Sequence, residues 1–175
     1  MTLEQYLKQR QYKSTAESFT QKMILDKKLF NQVVKCVLKN EDRNAELAAW
    51  PLNEAARMKP EWIRPHTYSL FQLLNKKTHA AVGRNILRIY EIVEIPEKDL
   101  GIAAETCFSI ISNPSRSIAE RAFAMTVLYR ILQREPDLMH EFQLVIESTL
   151  QENIPALNAR YRNIQKELNR NKTKL

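Results

Sequence analysis

Apolar residues recur at every third or fourth position along almost the whole chain, with polar residues between them. This spacing places the apolar side chains on one face of an α-helix, whereas a half-buried strand would show strict alternation. One such stripe consists of Leu29, Phe30, Val33, Val34, Val37 and Leu38. The pattern therefore predicts an all-α fold.

Two capping-box signals predict where helices begin. Ser14-Thr-Ala-Glu17 and Ser117-Ile-Ala-Glu120 both match the S-x-x-E pattern, in which the hydroxyl and the carboxylate satisfy free backbone amides. Each motif precedes an apolar stripe of helical spacing. We expect a helix to start at each of them.

Prolines divide the remaining pattern, because proline is tolerated in the first turn of a helix and rarely in its interior. The predicted helices span about residues 43–58, 60–76 and 79–94, and further helices follow Pro96, Ser117, Pro136 and Pro155. Pro51 lies inside the first of these helices and is expected to kink it.

The helical pattern repeats with a period near 40 residues. Pro60, Pro96 and Pro136 each separate the two helices of a pair, and the chain here resembles the HEAT and armadillo repeat families. The segments that carry the resemblance are Ala48-Ala-Trp-Pro-Leu52, Arg84-Asn-Ile-Leu-Arg-Ile-Tyr90 and Arg121-Ala-Phe-Ala-Met-Thr-Val-Leu128, each followed by one of these prolines.

The resemblance implies a right-handed α-α superhelix, a HEAT-like solenoid of about three helix pairs over residues 41–152. Such pairs cannot close a core alone and therefore stack on each other. Residues 1–40 would form amino-terminal capping helices, and residues 153–175 a basic carboxy-terminal helix and tail. We expect one domain over residues 1–175. A kinked first helix is also seen in HEAT-like repeats, so Pro51 fits the resemblance.

Composition and motifs argue against the common catalytic and cofactor sites. The chain has two glycines and contains neither GxGxxG nor GxxxxGK, the loops that hold nucleotide phosphates. Its histidines, His66, His79 and His140, form no HExxH motif, and Asp137-Leu-Met-His140 lacks the second copy that a di-metal site needs. The sequence predicts no enzyme, no metal and no cofactor.

Cysteine use and hydropathy predict the compartment. Cys36 and Cys107 each lie among apolar residues at helical spacing, as reduced core thiols do. The amino terminus has no apolar signal region, and no apolar run reaches the ~20 residues that span a bilayer. We expect a cytoplasmic protein, a monomer or a homodimer, with no membrane contact.

Positive charge is concentrated at the two ends of the chain. The net charge is +7, yet residues 1–40 hold eight Lys+Arg against three Asp+Glu, and residues 156–175 hold six against one. Basic ends can act as solvated caps of a helical stack, as a grip on nucleic-acid phosphates, or, at residues 156–170, as a protein-docking helix. The sequence leaves these three interpretations open.

Two sets of side chains are candidates for function. Arg43, Arg84 and Arg121 each fall early in the first helix of a pair, where a structural ladder between repeats is the simpler explanation. The candidate binding residues are Trp62, Arg64, His66 and Tyr68 on a second helix, with Arg84, Asn85 and Arg88 as a polar cluster. Trp50, between Ala49 and Pro51, is predicted to be a core residue.

The function predicted is therefore that of a non-enzymatic scaffold binding an unknown protein partner through its second-helix face. Tryptophan, arginine and tyrosine are the residues that most often anchor protein interfaces. The alternative is a sequence-nonspecific nucleic-acid-binding protein that uses its basic termini. The DNA alkylation-repair glycosylases are HEAT-like, although no catalytic carboxylate among aromatics matches theirs here.

Overall fold

The protein is described by a computed structural model that covers residues 1–10, 12–40 and 42–172, and these residues contain helices and turns but no strand. The chain divides into two compact units, Met1–Ile102 and Ala103–Leu175. The α-helices are α1 Leu3–Lys8, α2 Lys13–Met23, α3 Lys27–Lys39, α4 Asp42–Met58, α5 Pro60–Ile63, α6 Thr67–Leu74, α7 Ala80–Tyr90, α8 Leu100–Ser112, α9 Ile118–Leu132, α10 Met139–Leu150 and α11 Pro155–Lys172. Short 3-10 turns occupy Arg64–His66, Glu97–Asp99 and Pro136–Leu138.

One predicted capping box is confirmed and the other is wrong. Ser117 caps α9, because its hydroxyl accepts from the amide of Glu120 at 3.3 Å while the Glu120 carboxylate accepts from the Ser117 amide at 3.1 Å. Helix α2 instead begins at Lys13, which places Ser14 inside the helix. Ser14 is therefore not the N-cap residue, and the N-cap residue Tyr12 makes no side-chain cap bond.

The predicted helix 60–76 is divided into α5, a 3-10 turn and α6. Pro65 explains the break, because a proline has no amide hydrogen to donate to the carbonyl four residues earlier, here that of Glu61. The turn Arg64–His66 contains this proline. As a result, Trp62 and Tyr68 lie on different helices, α5 and α6.

Helix α4 is the centre of the amino-terminal unit and contacts α1, α2, α3, α5 and α7. Its buried side is made largely of alanines, whose small side chains let neighbouring helices approach closely. The fully buried apolar residues of α4 are Ala45, Ala48, Ala49, Leu52, Ala55 and Ala56.

Pro51 creates a gap in the hydrogen bonding of α4 that Tyr6 fills from α1. A proline has no amide hydrogen, so the carbonyl of Leu47, four residues earlier, loses its normal helical donor. The Tyr6 hydroxyl donates to this carbonyl at 3.2 Å. The Tyr6 ring is 1% exposed and stacks on Phe19, with 4.2 Å between centroids. Burial raises the pKa of Tyr6 to about 12, so the hydroxyl keeps its proton at neutral pH.

The carboxy-terminal unit is organised around the buried guanidinium of Arg121. This side chain is 1% exposed, and its Nε donates to the carbonyl of Ile111 at 2.8 Å. Its two terminal nitrogens donate to the two carboxylate oxygens of Glu152, one of them at 2.7 Å. Arg121 therefore joins α9 to the end of α8 and to the turn between α10 and α11.

Helix α11 packs against α9 and α10 within this unit. Leu157 and Ile164 are buried, and the Tyr161 ring lies 6.4 Å from that of Phe142. The described part of α11 thus completes the core of the carboxy-terminal unit through its apolar side. Arg160 packs against the Phe123 ring of α9, whereas Arg162, Lys166 and Arg170 are exposed.

We expect Tyr6→Phe to lower the free energy of unfolding by about 1 kcal/mol, because it leaves a carbonyl of α4 without a donor. In a Pro51→Ala background the new amide at position 51 supplies the helical donor, so the same change should cost much less. Urea denaturation of the four proteins in this double-mutant cycle measures the coupling. Equal costs in the two backgrounds would contradict this account, and Tyr68→Phe, at an exposed position, is the matched control.

The Glu152 carboxylate should make stability depend on pH in the acid range. The Arg121 guanidinium holds the pKa of Glu152 below its ordinary value, so the bond stabilises the fold above the unfolded-state pKa of about 4.3 and is lost as pH falls through the lower folded-state value. Glu152→Gln should cost about 1 kcal/mol at neutral pH, since solvent screens the partly exposed carboxylate. Thermal unfolding should show this difference shrinking towards about pH 3. Glu147→Gln, at an exposed position of α10, should show no such pH-dependent loss.

Candidate functional site

The predicted binding residues occupy two surfaces of the amino-terminal unit. The first, called here the Trp62 face, comprises Trp62, Arg64, His66 and Tyr68 on α5, the following turn and the start of α6. The second, called the Trp50 cleft, is lined by residues of α1, α2, α4 and α7 and by Tyr12, and it includes Arg84 and Asn85. Arg88, one helical turn after Arg84, is half-buried and is not part of its lining.

Trp62 is held in place on one side and remains partly open to solvent. Its ring meets Phe30 of α3 edge-on, with 5.6 Å between centroids and 78° between planes. The Lys59 ammonium lies 5.5 Å from the Trp62 centroid, within the range of a cation–π interaction. Contacts from α3 and from Lys59 therefore fix the orientation of a half-buried aromatic ring.

The other residues of the Trp62 face differ in their exposure. Arg64 is exposed and its Nη2 lies 3.2 Å from Oε2 of Glu94, an exposed ion pair that contributes little stability. Tyr68 is 50% exposed, and its hydroxyl accepts from Nε2 of Gln72 at 3.2 Å. Arg64 and Tyr68, which follow Trp62 closely in the sequence, are therefore large exposed side chains with only weak surface contacts.

His66 is a packed, neutral residue of this face. Its Nε2 lies 3.3 Å from Oδ1 of Asn31 on α3. Burial lowers the pKa of His66, and the nearby charge of Lys35 lowers it further. The neutral ring is therefore favoured. In the neutral tautomer that carries its proton on Nε2, this nitrogen donates to Oδ1 of Asn31.

The Trp50 cleft encloses about 450 Å³. Trp50 and Tyr12 supply aromatic surface, Lys13 and Arg84 supply positive charge, and Glu46 supplies a carboxylate. The prediction that Trp50 is a core residue is wrong: its neighbours Ala49 and Pro51 are buried, but the larger Trp50 side chain is half-buried and lines the cleft.

Asn85 is the buried polar residue of the cleft wall. It is 3% exposed, and its Nδ2 donates to the carbonyl of Ala81, one turn earlier in α7, at 2.8 Å. Its Oδ1 accepts no hydrogen bond from any residue that the structure describes. A buried acceptor without a donor is costly, so few native side chains keep one.

A family model described as a HEAT repeat domain matches residues 3–168. The chain belongs to this family. The predicted resemblance is thereby confirmed, as is the all-α fold of the α-α solenoid class. No curated protein and no solved structure matches the chain.

The match extends beyond residues 41–152 at both ends, so the HEAT repeat domain includes α1 to α3 and most of α11. In this domain the three arginines of the proposed ladder lie in different environments. Arg121 is buried and bonded to a carbonyl and a carboxylate, whereas Arg43 and Arg84 are exposed. Arg84 makes no ion pair with the described residues.

The described residues of the HEAT repeat domain contain neither a cluster of metal ligands nor a helix that could span a membrane. Across residues 1–10, 12–40 and 42–172, no three His, Cys, Asp or Glu side chains converge in a way that could bind a metal ion. Within the same ranges, no helix combines the length and hydropathy needed to cross a bilayer. Burial raises the pKa of the Cys107 thiol, which favours an inert, protonated thiol.

The sequence did not indicate that Tyr12, Lys13 and Glu46 would join Arg84 and Asn85 in one cleft. These residues lie on segments separated by about 30 to 70 positions, and none belongs to a local motif. The one usable signal was the polar Asn85 amid the apolar stripe of α7, which includes Val82, Ile86 and Leu87. Such a residue demands a partner or a function.

Proposed function

We propose that this HEAT repeat domain is a non-enzymatic scaffold that binds another protein through the Trp62 face. The observation that carries the proposal is the fixed orientation of the half-buried Trp62 ring against Phe30. Because the ring is already ordered, it would lose little conformational entropy when a partner packs against it. Arg64 and Tyr68 add the residue types that most often anchor interfaces.

The surrounding contacts support binding rather than chemistry. His66 is neutral and bonded to Asn31, so its imidazole is engaged in packing α5 and α6 against α3. The Arg64–Glu94 ion pair is exposed, so Arg64 can leave Glu94 and pair with a carboxylate of a partner at a small cost in free energy. The scaffold would operate in the cytoplasm, as a monomer or a homodimer, where Cys36 and Cys107 remain thiols.

Affinity capture from the cells of origin, quantified by mass spectrometry, tests this proposal. Trp62→Ala should reduce recovery of the partner by about 30-fold or more, the effect of losing an interface anchor. Arg64→Glu should also reduce recovery, and it affects no buried contact, so it separates binding from folding. Leu144→Ala, which removes an exposed apolar side chain of α10, should leave recovery unchanged. Full recovery with both Trp62→Ala and Arg64→Glu would refute the proposal.

Nucleic-acid binding through the basic ends is the second candidate function, and the arrangement of α3 favours it. Lys28, Lys35 and Lys39 are all exposed and follow one another at intervals of seven and four residues, so they fall on one side of this helix. In the carboxy-terminal unit, α11 exposes Arg162, Lys166 and Arg170 at intervals of four. Each stripe could neutralise phosphates by releasing condensed counterions.

A salt titration of binding to duplex DNA and to RNA tests the second function. The logarithm of the affinity should fall linearly with the logarithm of the salt concentration, with a slope of about −0.9 for each phosphate neutralised. Lys35→Glu with Lys39→Glu should reduce the magnitude of the slope by about 2, whereas Lys98→Glu, on an exposed turn, should leave it unchanged. Absence of binding at low salt would eliminate this function.

A further inference from the structure

The Trp50 cleft combines two polar groups, Asn85 Oδ1 and the Arg84 guanidinium, that form no hydrogen bond or ion pair with the part of the chain that the structure describes. Asn85 commits its Nδ2 to the Ala81 carbonyl, which fixes the amide and leaves Oδ1 as the atom still able to accept. Arg84, next to it in α7, is exposed and makes no ion pair with the described residues. A ligand that brings one N–H donor and one carboxylate would satisfy both groups.

The charges around the cleft favour an acidic occupant. Arg84 and Lys13 line it, and the guanidinium of Arg10 lies 5.3 Å from the centroid of the Tyr12 ring. Glu46 supplies the carboxylate of the lining, where Arg84 and Lys13 outnumber it, and Glu17 nearby lies 3.7 Å from Nζ of Lys13. The guanidinium of Arg84 is the charge that remains for an incoming carboxylate, which its forked donors can bind at two points.

The aromatic residues of the cleft specify an apolar element beside that carboxylate. Trp50 is half-buried and Tyr12 is 54% exposed, so both have surface that an apolar side chain can cover. A peptide segment combines all three elements: a backbone or side-chain N–H, an acidic group and an adjacent apolar group. A free carboxylic acid of low molecular weight would supply only the acid and fill little of the 450 Å³.

We propose that the Trp50 cleft binds an acidic segment of the partner protein, with an Asp or Glu carboxylate on Arg84, a neighbouring apolar side chain against Trp50 and Tyr12, and an N–H donor to Asn85 Oδ1. This inference rests on the proposed function as a protein-binding scaffold. The Trp50 cleft would be a second contact surface for the partner, formed by α1, α2, α4 and α7, and it would recognise an acidic segment with an adjacent apolar side chain.

The two tryptophans of the chain allow each surface to be observed separately, because one lies at each. In a Trp62→Phe variant, all tryptophan fluorescence comes from Trp50 in the cleft. In a Trp50→Phe variant, it comes from the Trp62 face. The probe is a blocked peptide in which a phenylalanine is flanked on both sides by Asp and Glu residues, and the control peptide carries Lys and Arg in their place.

The acidic peptide should shift the emission of Trp50 saturably in the Trp62→Phe variant, and the basic peptide should not. Within that background, Arg84→Ala should weaken binding about tenfold or more, because it removes a bidentate ion pair. Lys98→Ala, which removes a positive charge on an exposed turn outside both surfaces, should have no effect. Asn85→Ala should weaken binding about tenfold while leaving the thermal midpoint unchanged or higher, because the buried acceptor is removed together with its cost.

Three results would overturn the inference: no saturable change in Trp50 emission with the acidic peptide, an equal response to the basic peptide, or unchanged affinity in Arg84→Ala. A failure of the proposed function is distinguishable from these results. In that case the partner captured from cells would be recovered in full with Trp62→Ala and with Arg64→Glu, while the acidic peptide would still shift Trp50 emission.

Discussion

The amino-terminal unit depends on the satisfaction of one carbonyl group inside its central helix. Pro51 removes the amide that would have bonded Leu47, and Tyr6 restores the missing donor from another helix. Since α4 contacts five neighbouring helices, the geometry of its kink determines where those neighbours lie. The Trp50 cleft is formed at this point: Tyr6, Leu47 and Trp50 all belong to its wall.

In the carboxy-terminal unit a helix carbonyl also receives its donor from a side chain, here the charged Arg121. The carbonyl of Ile111, near the end of α8, has no later helical amide to accept from, and the Arg121 guanidinium bonds it while also pairing with Glu152. In both units a long polar side chain from a neighbouring segment completes a helix that its own backbone leaves unsatisfied. Helical repeats with few residues in their turns need such bonds, because a buried carbonyl without a donor is costly.

Local signals predicted the helices well and their boundaries less well. The Ser117 capping box succeeded because hydroxyl, amide and carboxylate all lie within one turn, whereas Ser14 carried the same letters inside a helix that starts at Lys13. The predicted helix 60–76 was wrong at Pro65, although proline inside a helical pattern is a recognised signal for a break. The partners of Asn85 and the exposure of Trp50 depend on which helices meet in space, and no spacing within a single helix encodes that.

The tyrosine on α1 also sets a limit on how far this fold can be shortened. Helix α1 has six residues, too few to be stable by itself in water, so it exists because it is held against α4. The dependence is mutual, since a fragment beginning after α1 would expose the Phe19 ring and leave the Leu47 carbonyl open. Fusion partners, affinity tags and circular permutations are therefore best joined at exposed turns such as Asn113–Ser115, away from this first helix.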